Sequence, residues 1–173
     1  MDSGHIFLIG FMGAGKSSAA RLLSREHGLI YLEMDTQIET DAGMTISEIF
    51  DTKGEEAFRQ METELIFSLE GRKPMVVSCG GGTAMRQQNV DEMRRLGTIV
   101  YLSADPQTIY DRVHLRHHRP LLEGNMNVEY ITGLLNSRLP KYEAAADITV
   151  KTDGRQLADI ADEIYRRTAG AGN

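Results

Sequence analysis

Eight residues near the start of the chain, Gly10-Phe11-Met12-Gly13-Ala14-Gly15-Lys16-Ser17, follow the pattern G-x-x-x-x-G-K-[S/T] and come directly after the apolar run Ile6-Phe7-Leu8-Ile9. Each residue type answers a need of phosphate binding. Glycines let the backbone curl so that successive N–H groups, here from Gly13, Ala14, Gly15, Lys16, Ser17 and Ser18, point at one centre, and the following helix adds its positive end. The Lys16 ammonium can then reach the outer phosphates of a nucleoside triphosphate, and the Ser17 hydroxyl can ligate the magnesium that bridges them. A glycine-rich turn that binds nothing is the dull alternative; a strand pattern before the motif and a helix pattern after it argue against that.

Further along, Glu33-Met34-Asp35 sets two carboxylates one residue apart, and Gly80-Gly81-Gly82 would let a ligand approach bare backbone. Between them, Glu55, Arg59 and Glu62 fall at helical spacing on one face. On patterning alone these three read more readily as a solvated helix face, worth ~0.2–0.5 kcal/mol per pair, than as a binding site. Likewise, Glu33 and Asp35 could merely cap a helix, and the glycine triplet could be a tight turn. The stretch 111–124 carries Arg112, Arg116, Arg119, His114, His117 and His118 in a chain that is otherwise acidic. A basic loop of that kind suits a lid that closes over transferring phosphoryl groups and excludes water, and a solvated basic loop is its competitor. Adjacent His117 and His118 with no cysteine or acid pattern argue against a structural metal.

The elements that must position these residues follow from apolar periodicity. Short buried-type runs at 6–9, 30–32, 75–77, 98–102 and 148–150 alternate with helical spacing at about 16–27, 55–70, 107–113, 128–146 and 156–167, with Pro140 expected to interrupt the fourth helix. Such alternation predicts an α/β fold, a doubly wound five-stranded parallel sheet flanked by helices, with ligands at the carboxyl ends of the strands. At 173 residues the chain fits one domain, 1–173, able to bury roughly 70% of its unfolded surface. A net charge of -6 argues against nucleic acid or a membrane surface as partner. The single cysteine, Cys79, and an N-terminal segment without signal-peptide character predict a cytoplasmic protein. Cys79 itself reads as a buried small apolar residue.

Taken in order and at their intervals, residues 10–17, Glu33 and Asp35, Phe58-Arg59-Gln60-Met61-Glu62, Gly80-Gly81-Gly82, Arg119-Pro120-Leu121-Leu122 and Arg138-Leu139-Pro140-Lys141-Tyr142 resemble the shikimate kinase family over about 5–167. The resemblance implies the nucleoside-monophosphate-kinase type of P-loop fold, with a substrate-binding helical region at about 34–62 and a mobile lid at about 112–124. It implies transfer of the gamma-phosphate of ATP to the 3-hydroxyl of shikimate, in aromatic amino-acid biosynthesis, by a monomer using Mg²⁺. Lys16 and the loop amides would hold the phosphates, Ser17 would ligate the magnesium, and Asp35 would accept the proton of the reacting hydroxyl. Arg59 and Arg138 would grip the substrate carboxylate, with Glu62 holding Arg59 and Gly80, Gly81 and Gly82 lying against the ring. Arg119 would reach the transferring phosphoryl from the lid, Arg112 would stack on adenine, and Arg155 would line the adenine pocket. One position departs from the pattern: Glu33 stands where the family has aspartate, and a role near magnesium through water is implied for it.

Two rivals share parts of this pattern. A kinase for another small polyhydroxy acid, such as gluconate, would use a similar loop and lid, but the pair Arg59 and Arg138 with the glycine triplet fits shikimate better. A nucleotide-gated switch is suggested by Asp51-Thr52-Lys53-Gly54, the D-x-x-G string of GTPases. It follows a helical rather than a strand pattern and no Asn-Lys-x-Asp guanine signature accompanies it, which marks it as a chance match.

Overall fold

Five strands form the sheet: β1 (His5–Ile9), β2 (Ile30–Glu33), β3 (Met75–Ser78), β4 (Gly97–Ser103) and β5 (Ile148–Lys151). They lie in the order β2-β3-β1-β4-β5 and every pairing is parallel, as the alternation of strand and helix patterns predicts. The computed structural model describes residues 4–114 and 127–169. Most of the expected lid segment, with Arg116, His117, His118 and Arg119, lies outside the described residues.

Period-two alternation divides the core. Ile6, Leu8, Val76, Val100, Leu102, Ile148 and Val150 face one side, where they pack with helices α1 (Lys16–His27) and α8 (Leu157–Ala169). Their neighbours Phe7, Ile9, Val77, Ile99 and Tyr101 face the other side. That side is covered by α2 (Met34–Ala42), α3 (Ile46–Lys53), α4 (Glu55–Phe67), α5 (Gln87–Leu96), α6 (Pro106–Val113) and α7 (Val128–Ala145). Phe7, Leu8 and Ile9 are fully buried, each side chain contributing about 1.5–3 kcal/mol of transfer energy.

The topology fixes where a ligand can sit. From the central strand β1 the sheet is built outward on both sides, through β3 to β2 and through β4 to β5. The loop leaving β1 therefore opens into the crevice at the switch point, which is residues 10–15. α1 starts at Lys16 and ends at Gly28, which takes the left-handed conformation (φ 67°), matching the span expected from the sequence.

Four departures have local causes. The region 34–62 resolves into three helices separated by Gly43 (φ 66°) and Gly54 (φ 85°), and Thr45 with Glu48 forms a reciprocal capping box that starts α3 afresh. α4 stops at Phe67 rather than near 70, the chain turning through 3.0–3.4 Å bonds from Leu69 to Ile66 and Glu70 to Phe67. α7 continues through Pro140 instead of ending there. Pro140 and Asn136, whose carbonyl loses its helical donor, are both exposed, so water can take the missing bond. α5 was not anticipated: its start, Gln87-Gln88-Asn89, is polar although Asn89, Val90 and Met93 are buried.

Because Pro140 sits at an exposed interior position of a helix, Pro140→Ala is expected to restore the bond to the Asn136 carbonyl and to stabilise the fold by about 1–3 kcal/mol. Urea unfolding followed by circular dichroism measures this; an unchanged or lower midpoint would show that the helix is not strained there.

Candidate active site

The loop after β1 is shaped by its glycines. Gly13 and Gly15 take positive φ (82° and 98°), and a Cβ on Gly13 would lie 2.6 Å from Val113 Cγ1. Gly15 caps α1 without any side-chain hydrogen bond, so the first amides of that helix remain available to an anion. Lys16 is buried, and its ammonium donates to the carbonyls of Gly10 at 2.7 Å and Phe11 at 3.0 Å, which holds the amine across the loop it serves.

Beside it, Ser17 Oγ donates to Glu33 Oε2 at 2.6 Å, and the Tyr31 hydroxyl donates to the same oxygen at 2.6 Å. Ser78 Oγ lies 3.2 Å from Ser17 Oγ. Burial first, and then the Glu33 carboxylate, push the Tyr31 phenol up to about 12, so it stays a donor across the neutral range. Glu33 ends β2 and Asp35 stands in the first turn of α2, so both acids leave the sheet next to the phosphate loop.

The acceptor side is built around the glycine triplet that follows β3. Arg59 Nη1 donates to Glu62 Oε2 at 2.8 Å and Nη2 to Glu55 Oε1 at 3.2 Å. Burial works against the Arg59 charge, yet the two carboxylates outweigh it and raise its pKa. Glu62 is fully buried and its second oxygen accepts from Thr83 Oγ1 at 2.8 Å. The helix-face reading of these residues is thus incomplete: Glu55 is exposed, but Arg59 and Glu62 point inward. Bare backbone leaves these side chains their places: a Cβ on Gly80 would stand 2.6 Å from Glu62 Oε1 and 3.3 Å from Asp35 Oδ1, one on Gly81 would stand 3.3 Å from Arg138 Nη1, and one on Gly82 would displace the Arg59 guanidinium. Arg138 comes from α7; its Nη1 is buried with no hydrogen-bond partner among the described residues, and its guanidinium lies 5.7 Å over the Phe11 ring. Tyr142, one turn further on, is fully buried and donates to the Gly81 carbonyl.

On the opposite flank, Arg112 Nη1 donates to the carbonyls of Gly13 (3.1 Å) and Ala14 (3.2 Å) and to Thr152 Oγ1 (3.2 Å), tying α6 and the segment after β5 to the phosphate loop. Arg155 Nη1 bonds the Lys151 carbonyl at 2.9 Å and Glu163 Oε2 at 2.8 Å.

These groups face one cavity of about 1050 Å³. Its walls include Gly13, Ala14, Gly15, Lys16, Ser17, Ser18, Glu33, Asp35, Arg59, Glu62, Gly80, Gly81, Gly82, Arg112, Arg138 and Arg155, so every site residue expected from the sequence except Arg119 is brought together. Arg119 lies outside the described residues. Sequence reasoning passed over Tyr31, Thr83 and Thr152, and also Phe50, which lines the cavity. Tyr31 was legible in principle: two residues before Glu33 on a strand, it must share that residue's face.

A doubly wound parallel sheet with a lysine-bearing phosphate loop at its switch point, opposite a pocket bearing two arginines, defines a P-loop kinase of small molecules. The family model for shikimate kinase matches residues 12–169. A shikimate kinase of Symbiobacterium thermophilum is 37% identical over 165 residues, covering 94% of this chain and 95% of its own. The shikimate kinase of Acinetobacter baumannii, solved in complex with shikimate, superposes with a TM-score of 0.91 at 32% identity, covering 98% of this chain and 95% of that one. A gluconokinase of Sinorhizobium meliloti, at 20% identity and a TM-score of 0.61 over 98% of this chain and 94% of its own, shares the fold alone. The chain belongs to the shikimate kinase family, which comprises ATP-dependent kinases.

Cys79, next to the triplet, is 1% exposed, and burial pushes its thiol far above the usual range. The native protein is therefore expected to react negligibly with a thiol reagent such as dithionitrobenzoate at neutral pH and to release one equivalent on denaturation; rapid labelling of the native chain would contradict the burial.

Proposed function

We propose that this cavity transfers the gamma-phosphate of ATP to the 3-hydroxyl of shikimate. The observation that carries the reading is that the phosphate loop and the inward arginines Arg59 and Arg138 share one cavity, with the Arg138 Nη1 donor buried and without a hydrogen-bond partner among the described residues. A carboxylate would supply that partner, and a planar fork of donors matches its two oxygens. The Acinetobacter relative, which binds shikimate, supports the choice of acid.

In this reading the shikimate carboxylate lies between Arg59 and Arg138, with its ring against Gly80, Gly81 and Gly82. Asp35 accepts the proton of the 3-hydroxyl as that oxygen bonds to the gamma-phosphorus, the bond from phosphorus to the bridging oxygen breaks, and ADP leaves. Lys16 and the amides from Gly13 to Ser18 bear the charge on the outer phosphates. Little covalent help is needed, since phosphoryl transfer is catalysed chiefly by alignment and charge neutralisation. Arg112 and Arg155 flank the end of the cavity assigned to adenine, and Arg119 is assigned to the transferring phosphoryl. The Ser17 hydroxyl and the Glu33 carboxylate form a hard-oxygen set that suits Mg²⁺, with Ser17 as direct ligand and Glu33 acting through water. When bound, that ion would neutralise charge between the outer phosphates. One chain supplies both halves of the cavity, so residues 1–173 work as one kinase domain and as a monomer, in the cytoplasm. No described helix is long and apolar enough to cross a membrane.

Substrate-dependent ADP release, assayed with shikimate and with gluconate, tests the reading directly, and a preference for gluconate would overturn it. Lys16→Ala is expected to keep the far-ultraviolet circular dichroism of the parent and lose ~10²–10³ in kcat, the effect of one preorganised electrostatic donor. Near-normal turnover would remove Lys16 from the mechanism. Arg59→Ala is expected to weaken shikimate binding by about 1.5–3 kcal/mol with ATP affinity nearly unaltered. Arg59→Lys, which retains a charge beside Glu62, is expected to lose less; calorimetric titration with each ligand measures both.

A further inference from the structure

The geometry points to Tyr31 as a positioning residue for the metal side of the phosphate loop: by fixing the Glu33 carboxylate, it orients the Ser17 hydroxyl so that a lone pair is presented to the cation. This inference rests on the proposed placement of the cation beside Ser17.

A neutral hydroxyl that ligates a cation must turn an oxygen lone pair toward it, so its proton has to be received elsewhere. Here the receiver is Glu33 Oε2, 2.6 Å from Ser17 Oγ. A glutamate carboxylate is free to turn about its last torsion unless something holds it. Tyr31 does so, donating to the same oxygen at 2.6 Å from the strand that carries Glu33. With both hydroxyls on Oε2, Oε1 is the oxygen assigned to water around the ion. Tyr31 is itself held in turn: the Arg21 guanidinium of α1 lies 5.9 Å over its ring. α1 and β2 are thereby joined through Ser17, Glu33, Tyr31 and Arg21 on the flank of the loop where the metal is assigned. The glutamate side chain is thus secured by a partner two residues away on the same face of the strand.

Tyr31→Phe deletes the hydroxyl and keeps the ring. Mn²⁺ serves as the probe, with free ion counted by electron paramagnetic resonance in the presence of protein and ADP. Loss of an outer partner of a ligand set predicts Mn²⁺ binding weaker by roughly 10-fold. ADP affinity measured calorimetrically in excess chelator is expected to stay the same, which a general disturbance of the loop would not allow. In a Glu33→Ala background the further change Tyr31→Phe is expected to add nothing, since the route to Ser17 is already cut. Unchanged Mn²⁺ affinity in Tyr31→Phe overturns the inference, as does an equal loss of chelator-insensitive ADP binding, or an undiminished effect in the Glu33→Ala background. The kinase reading stands or falls separately, on shikimate-dependent ADP release by the unaltered protein.

Discussion

A lysine ammonium taken out of water must be met by acceptors, and the architecture at the switch point follows from how Lys16 satisfies that requirement. Its amine is buried and spans back to the carbonyls of Gly10 and Phe11, so the loop can exist only in a curl that turns those carbonyls inward. The same curl is tied by the Ala14 amide to the Phe11 carbonyl at 3.1 Å and leaves the start of α1 without a side-chain cap, open to an anion. It demands positive φ at Gly13 and Gly15 and leaves no room for a side chain between the loop and Val113 of α6. Arg112 of the same helix then takes up the carbonyls of Gly13 and Ala14. The anion site is therefore assembled by intramolecular bonds before any nucleotide arrives, which is the preorganisation that electrostatic catalysis depends on.

The acceptor half follows a different rule, close approach instead of charge. Glu62 is a fully buried carboxylate, tolerable because Arg59 and Thr83 take its oxygens. That ion pair occupies the space in which Cβ atoms of Gly80 and Gly82 would stand. The triplet thus serves less to supply unusual torsions than to make room for two guanidinium groups and a carboxylate at one point of the sheet edge.

Much of this was legible from residue types. The five strands were evident because central parallel strands are continuous apolar runs, and α1 was bounded correctly because Gly15 and Gly28 punctuate it. What local pattern could not convey was which face of a helix the tertiary structure would bury. Glu55, Arg59 and Glu62 carry the spacing of a solvated stripe, and only the packing of α4 against the triplet turns Arg59 and Glu62 inward. α5 was hidden for a related reason: its buried Asn89 bonds Thr63 and the Thr83 carbonyl, so a core position is occupied by a polar residue that reads as surface. Pro140 misled in the other direction, since its cost depends on whether Asn136 faces solvent.

The sheet order places β2 at a margin, hydrogen-bonded to β3 alone, with Ile30 nearly half exposed. Glu33 and Tyr31 both sit on this strand, whereas the loop that holds the phosphates springs from the strand enclosed on both sides. Interior positions tolerate little change in volume, while a border strand can shift without repacking a second neighbour. The phosphate loop is consequently anchored where the sheet has least freedom to move, while Tyr31 and Glu33, which flank it, stand on the strand with most freedom to adjust.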